Sequence, residues 1–128
     1  MPVDKDDLVQ EIGILLLNDP KILTRHWKHL AIVAQLEDLS TSVSGFAYQE
    51  DGKAVPTSPG NSAVPRKFVE LSAAMREAGK SSWRACLVRI DRSSGNISID
   101  FEYNHPEKWL IVPSTVEQMA ESLRPVQP

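Results

Sequence analysis

The chain has 128 residues, of which 41% are hydrophobic and 24% charged, with a formal net charge of −3. This length and composition predict a single globular domain over residues 1–128. The longest apolar run, IGILLL at 12–17, is too short to cross a bilayer, which requires about 20 residues. The N-terminus MPVDKDDL lacks the basic start of a secretory signal, and the single cysteine excludes a disulfide framework. We therefore expect a cytoplasmic protein without membrane association.

The first half of the chain predicts a helix, a strand hairpin and a loop. Residues 4–18 carry apolar residues at helical spacing and acids in the first turn. Residues 27–36, WKHLAIVAQL, are apolar on both faces, as a central strand would be, and residues 40–49 alternate more weakly. Their close spacing predicts a hairpin. Residues 50–65, EDGKAVPTSPGNSAVP, contain three prolines and two glycines and predict a loop.

The second half predicts a helix, a second hairpin and a terminal helix. Residues 65–78 place apolar side chains on one helical face. Residues 83–91 and 97–103 are strand-like, and the turn between them contains Gly95 at a position suited to left-handed backbone. In the terminal helix, Ser114 and Glu117 have the spacing of a capping box.

The order of these elements predicts the fold class. It is helix, two strands, helix, two strands, helix, and both strand pairs are too closely joined for parallel crossovers. We expect an α+β domain in which two hairpins form a four-stranded antiparallel sheet. The N-terminal, central and C-terminal helices are expected to pack on one face of it.

Catalytic and metal-binding patterns are weak in this sequence. A metal site would need His26, His29 or His105 to converge with carboxylates, and His26 and His29 fall on opposite faces of an extended segment. Cys86 lies among apolar neighbours in CLVRI, as a buried thiol does. No glycine-rich phosphate loop is present in the sequence. We expect no enzyme activity, no cofactor and no metal.

The charge distribution indicates a protein partner. Residues 1–17 carry four acids against one base, and residues 96–128 carry five acids against two bases. This pattern disfavours nucleic-acid binding, which usually requires a basic footprint. Asp100 and Glu102 share one strand face, about 7 Å apart. They fit an acid/base pair, ordinary solvated polarity, or an acidic surface that captures a basic protein.

A resemblance favours the last interpretation. The segment DFEYNHPEKW, followed by the proline of VPS and by MAESLRP, resembles the C-terminal half of the YezG-like immunity proteins, which are encoded beside bacterial polymorphic or contact-dependent growth-inhibition toxins. The match is strongest over residues 83–125, and the N-terminal helix and first hairpin agree in order and length only. The resemblance implies a non-catalytic cytosolic α+β protein that binds a toxin domain, commonly a nuclease, and blocks its active site. The positions that carry it are Phe101, Glu102, Tyr103, Pro106, Trp109 and Pro113.

Six residues are candidates for contact with such a toxin, bound one-to-one. Charge contacts are expected from Asp100, Glu102 and Glu107. Aromatic contacts are expected from Tyr48, Tyr103 and a partly exposed Trp109, although Tyr103 also has the parity of a core residue.

Two alternatives from other functional classes stay open. The first is a small-molecule-binding or catalytic domain with its ligand between the sheet and the 50–65 loop, in a pocket lined by His29, Cys86 or His105. The second is an adaptor that pairs a partner strand with an open sheet edge.

Overall fold

The computed structural model describes residues 5–23, 27–37, 40–61, 63–77 and 83–124. The fold is α+β, as predicted, but its sheet has five strands where four were expected. None of the helices in these ranges has the length and apolar character that a bilayer crossing requires. In chain order the elements are α1 (Lys5–Leu17), α2 (Pro20–Leu23), β1 (His29–Glu37), β2 (Ser40–Tyr48), β3 (Ala54–Thr57), α3 (Ala63–Glu77), β4 (Ala85–Asp91), β5 (Ile97–Glu102), a 3-10 helix (Pro106–Trp109) and α4 (Val116–Ser122).

The five strands form one antiparallel sheet in the order β3-β2-β1-β4-β5. Both predicted hairpins, β1–β2 and β4–β5, are present, and β1 joins them by pairing with β4. The 50–65 segment is not wholly a loop, because Ala54–Thr57 pairs with β2 as an edge strand. A short strand that contains Pro56 lacks the usual sequence signal for a strand, and this explains why it was missed.

The first hydrophobic core lies between the sheet and helices α1 and α3. Leu8, Ile12 and Leu16 of α1 are buried on this face. Alternate residues of the strands meet them, which follows from the two-residue period of a strand. The strand residues buried in this core include Leu30, Ile32, Ala34, Ala47, Cys86, Val88 and Ile90.

A second core covers the opposite face of the sheet, so the expectation that all helices pack on one face was wrong. The 3-10 helix and α4 pack there through Trp109, Met119 and Leu123. The strand residues whose side chains point to this face explain the second layer, because they are also apolar and would otherwise be exposed to water. The strand residues buried in this core are Ala31, Val33, Phe46, Tyr48, Ala85 and Leu87.

Two local signals had different outcomes. Gly95 has a φ of +74°, so the β4–β5 turn uses glycine in the left-handed region, as predicted. The capping box is absent, because the N-cap of α4 is Thr115 and no side chain caps it. Instead, the Thr115 hydroxyl donates to the Leu110 carbonyl at 2.9 Å and accepts the Val112 N–H at 3.0 Å. This side chain therefore shapes the turn before α4.

Candidate protein-binding site

An open cleft of about 610 Å³ lies on the sheet face that α4 covers only in part. Strands β4 and β5 form its floor, and the C-terminal segment forms its wall. This arrangement follows from the second core, because Trp109 and Leu123 hold the C-terminal segment against β4 and leave the adjacent surface of β5 open. The residues that line the cleft include Leu87, Arg89, Asp100, Glu102, Lys108 and Trp109.

Asp100 and Glu102 both reach the cleft from β5. Asp100 lies opposite Leu87 and Glu102 opposite Ala85, so both side chains point to the face that carries α4. The Asp100 side chain is 63% exposed, and Glu102 is partly exposed. The Glu102 carboxylate accepts the Tyr103 backbone N–H at 3.1 Å. Neither carboxylate is covered by a helix, so both are accessible to a partner.

The cleft carries charges of both signs. Arg89 and Lys108 line it together with Asp100 and Glu102, so its four charged residues balance formally. The Arg89 guanidinium Nη1 lies 3.9 Å from Asp100 Oδ2, and Arg89 Nε is buried with no hydrogen-bond partner among the described residues. A cleft with charges of both signs adds selection by matched positions to the attraction that the exposed carboxylates exert on a basic partner.

The segment after β5 adds exposed groups beside the cleft. The Glu107 side chain is 65% exposed, and its Oε1 lies 3.3 Å from His105 Nδ1. Tyr103 is 36% exposed, so the parity that suggested a core position does not bury it. Its ring centroid lies 6.5 Å from that of Phe101. Phe101 packs against the first core, so the Tyr103 ring lies near the sheet face opposite to Asp100 and Glu102. Asp100, Glu102, Tyr103 and Glu107 are nevertheless all accessible at or just after the end of β5, and we call these four residues the β5-end cluster.

Two of the sequence candidates are core residues and not surface contacts. Tyr48 is 2% exposed, and its hydroxyl donates to the Ala120 carbonyl of α4 at 2.8 Å. Burial raises the pKa of Tyr48 to about 12. Trp109 is 8% exposed and packs in the second core. Both expectations are corrected because α4 and the 3-10 helix cover the face on which these rings lie.

The described residues offer no assembled metal site, and their cysteine is enclosed. They contain no group of three or more His, Cys, Asp or Glu side chains arranged to hold a metal ion, and His26 lies outside the described residues. Cys86 is fully buried, and burial raises the pKa of its thiol far above the usual range. A thiolate nucleophile is therefore disfavoured at this position.

The three residues proposed for the alternative pocket do not meet in one place, although a cavity of about 250 Å³ is lined by His29 together with Glu50, Asp51 and Gly52 of the 50–65 segment. Cys86 is enclosed in the first core, whereas the His105 side chain is 73% exposed after β5. His29 Nε2 lies 3.9 Å from Asp91 Oδ2, at the other end of β4. Within the 50–65 segment, Ala54–Thr57 is itself part of the sheet, so it does not form a lid over a ligand there.

Sequence reasoning missed the two basic residues of the cleft. Arg89 has the parity of Leu87 in β4, and Lys108 belongs to the 3-10 helix with its Nζ 5.4 Å from the Trp109 ring centroid. A signal for Arg89 was present, since a single arginine within an apolar strand must reach either water or a carboxylate. The matching carboxylate is Asp100, on the neighbouring strand.

Comparison of the chain with protein-family models finds no match, and comparison with curated protein sequences finds none either. The resemblance to YezG-like immunity proteins therefore stays a prediction, carried by the residues that surround the β5-end cluster.

Proposed function

We propose that this protein is an immunity protein that binds a cognate toxin domain one-to-one in the cytoplasm and blocks the toxin's active site. It performs no reaction itself. The observation that carries the proposal is the β5-end cluster: three carboxylates and one tyrosine are accessible at or just after the end of β5, and two of the carboxylates line an open cleft. The segment that resembles the immunity proteins includes all four of these residues.

The chemistry of the cluster suits the active site of a nuclease. Such a site binds phosphates and is usually basic, so exposed carboxylates on an inhibitor increase the association rate and favour the correct partner. Tyr103 supplies a rigid aromatic group, the type of residue that contributes most to interface energy when it is desolvated. The paired charges of the cleft, Arg89 with Asp100, add positional specificity.

The class of function is tested with the domain encoded immediately upstream of this gene, where the resemblance to immunity proteins places a toxin. The domain is expressed in cells with and without the protein. Rescue of growth, together with a one-to-one complex in size-exclusion chromatography with light scattering, supports the proposal. Failure of the protein either to rescue growth or to bind that domain would overturn it.

The role of the carboxylates is tested by charge reversal at Asp100 and Glu102 together. The D100K/E102K variant should associate at least tenfold more slowly than the parent at low salt, because steering is lost. The difference should shrink at 0.5 M salt, where the screening length is a few ångströms. The matched control reverses two exposed acids of the β2–β3 turn, Glu50 and Asp51, and should have a much smaller effect. Equal association rates for both variants at low salt would remove Asp100 and Glu102 from the contact surface.

A further inference from the structure

Strand β5 is an edge strand whose outer side is unpaired in the part of the chain that the structure describes. The Asp91 N–H donates to the Asn96 carbonyl at 3.0 Å. Since the backbone groups of a strand alternate in direction, Ser98, Asp100 and Glu102 turn theirs toward β4. The N–H and C=O groups of Ile97, Ile99 and Phe101 therefore point away from the sheet, and no described segment pairs with them.

The opposite edge of the sheet is built differently. Strand β3 has four residues, whereas β5 has six. The Gln49 N–H donates to the Lys53 carbonyl at 2.9 Å, and the same alternation then turns the nitrogen of Pro56 outward. Proline has no N–H, so the β3 edge lacks a donor at that position, which is a common protection against strand addition. The edge formed by β5 has no proline and keeps all its donors.

We propose that an extended segment of the partner adds to the outer edge of β5 as a sixth, antiparallel strand, and that it places Lys or Arg opposite Asp100 and Glu102. This inference rests on the proposed function and specifies how the toxin is held. Backbone hydrogen bonds to Ile97, Ile99 and Phe101 supply affinity, and the alternate side chains supply specificity.

In the register that an added strand would take, its basic side chains would lie close to Asp100 and Glu102. Because Ile97, Ile99 and Phe101 would form the hydrogen-bonded pairs, Asp100 and Glu102 would lie in non-hydrogen-bonded pairs, where facing Cα atoms are only about 4.5 Å apart. No described Lys, Arg or His lies within 4.0 Å of the Glu102 carboxylate, and Asp100 has only Arg89, at 3.9 Å. A basic side chain opposite Glu102 would therefore balance a charge that has no cation within 4.0 Å among the described residues.

The same charges disfavour a second copy of this chain as the occupant. Pairing of β5 with β5 would bring another Asp100 and another Glu102 to an edge that already carries both, in a chain with a net charge of −3. On the other face, Ile97, Ile99 and Phe101 are partly buried and pack against the first core. The segment that fits both faces alternates apolar and basic residues.

Amide hydrogen exchange tests the pairing directly. The probe is a catalytically inactive form of the toxin domain encoded upstream. The amides of Ile97, Ile99 and Phe101 should exchange rapidly in the free protein and at least tenfold more slowly in the complex. Binding of the toxin domain without protection of these amides would overturn the sixth-strand inference and leave the immunity function standing. Absence of binding would overturn both. Protection in the free protein, accompanied by a dimer in light scattering, would assign the edge to a second copy and also overturn the inference.

Variants test the same point independently. I99P removes an outward N–H that makes no hydrogen bond in the described protein, and it should weaken toxin binding at least tenfold. The matched control is A54P, which removes an outward N–H from the β3 edge and should leave binding within twofold of the parent. Thermal unfolding of both variants verifies that they fold. The variant E102K tests charge alone and should weaken binding by less than I99P does. Equal binding by I99P and A54P would contradict the proposal.

Discussion

Replacement of Asp19 by alanine should destabilise the protein, because this buried carboxylate ties two separate parts of the chain together. Asp19 is fully buried at the start of α2. Its Oδ1 accepts the N–H groups of Lys21 at 2.9 Å and Gly60 at 3.0 Å, and its Oδ2 accepts that of Asn61 at 2.8 Å. The side chain thus joins the α1–α2 junction to the segment between β3 and α3.

The size of the effect follows from these three bonds. A hydrogen bond to a charged group contributes about 1.5–3 kcal/mol to the free energy of unfolding, and a neutral one about 1 kcal/mol. Water can reach the N–H of the exposed Gly60 after truncation, which lowers the loss. We expect Asp19→Ala to reduce the free energy of unfolding by about 3 kcal/mol, and Asp19→Asn, which keeps one acceptor oxygen, by about 1–2 kcal/mol.

Urea unfolding monitored by tryptophan fluorescence measures this loss. The control is Asp51→Asn, since Asp51 Oδ1 also accepts a backbone N–H two residues ahead, that of Lys53 at 2.9 Å, but is exposed. The control variant should change the free energy of unfolding by less than about 0.5 kcal/mol. If Asp19→Ala unfolds within 0.5 kcal/mol of the parent, the carboxylate has no stabilising role and the reasoning fails.

The pH dependence supplies a second check on Asp19. Burial alone would raise the pKa of Asp19, but backbone N–H donors from Gly60, Asn61 and α2 outweigh it and hold the pKa below its usual range. A carboxyl group with a lowered folded-state pKa stabilises the fold above its unfolded pKa of about 3.9. The stability difference between the parent and Asp19→Asn should therefore be constant from pH 7 to pH 5 and should shrink below about pH 4. A difference that grows on acidification would contradict the assigned direction.

Three further perturbations test the two cores. Gly45→Ala should lower the free energy of unfolding by about 2 kcal/mol in urea titration, because the new Cβ would collide with the Ala31 backbone carbonyl on β1; a stability equal to the parent would refute the close approach. Tyr48→Phe should lower the free energy of unfolding by about 1 kcal/mol, because it loses the hydrogen bond to the Ala120 carbonyl. In the parent, phenolate absorbance of Tyr48 should appear near pH 12, with stability declining from about pH 10 upward; ionisation near pH 10 would contradict the burial. Cys86 should not react with a thiol-specific dye until the protein is unfolded, and rapid native labelling would disprove its enclosure.

The parts of the fold that were predictable from sequence are those with strong periodicity. The alternation in β5 and the doubly apolar pattern of β1 led to the correct hairpins, because a two-residue period has a direct geometric meaning. The face covered by α4 was not predictable in the same way. The pattern of an amphipathic helix predicts which side of the helix is buried, but it does not predict which face of the sheet the helix packs against. The apolar residues on both faces of β1 were the available clue that the sheet has two covered faces.

The same contrast between local periodicity and remote packing applies to the residues of the candidate site. Asp100, Glu102 and Glu107 are accessible, as strand parity and a polar turn suggested. Tyr48 and Trp109 are enclosed because remote segments of the chain pack over them, and a single sequence does not report such contacts. Local patterns therefore predicted the accessibility of the three carboxylates but not the burial of Tyr48 and Trp109.

The second core has a consequence for biosynthesis. The Tyr48 hydroxyl donates its hydrogen bond to the carbonyl of Ala120, which lies 72 residues further along the chain. At about 5–20 residues per second, translation needs several seconds to deliver that carbonyl after the β1–β2 hairpin has been made. During this interval the Phe46 side of the nascent hairpin faces water without its final cover. Ribosome-associated chaperones would meet this apolar side, so the yield of active protein in a cell should depend on how quickly the last helix is synthesised and docked.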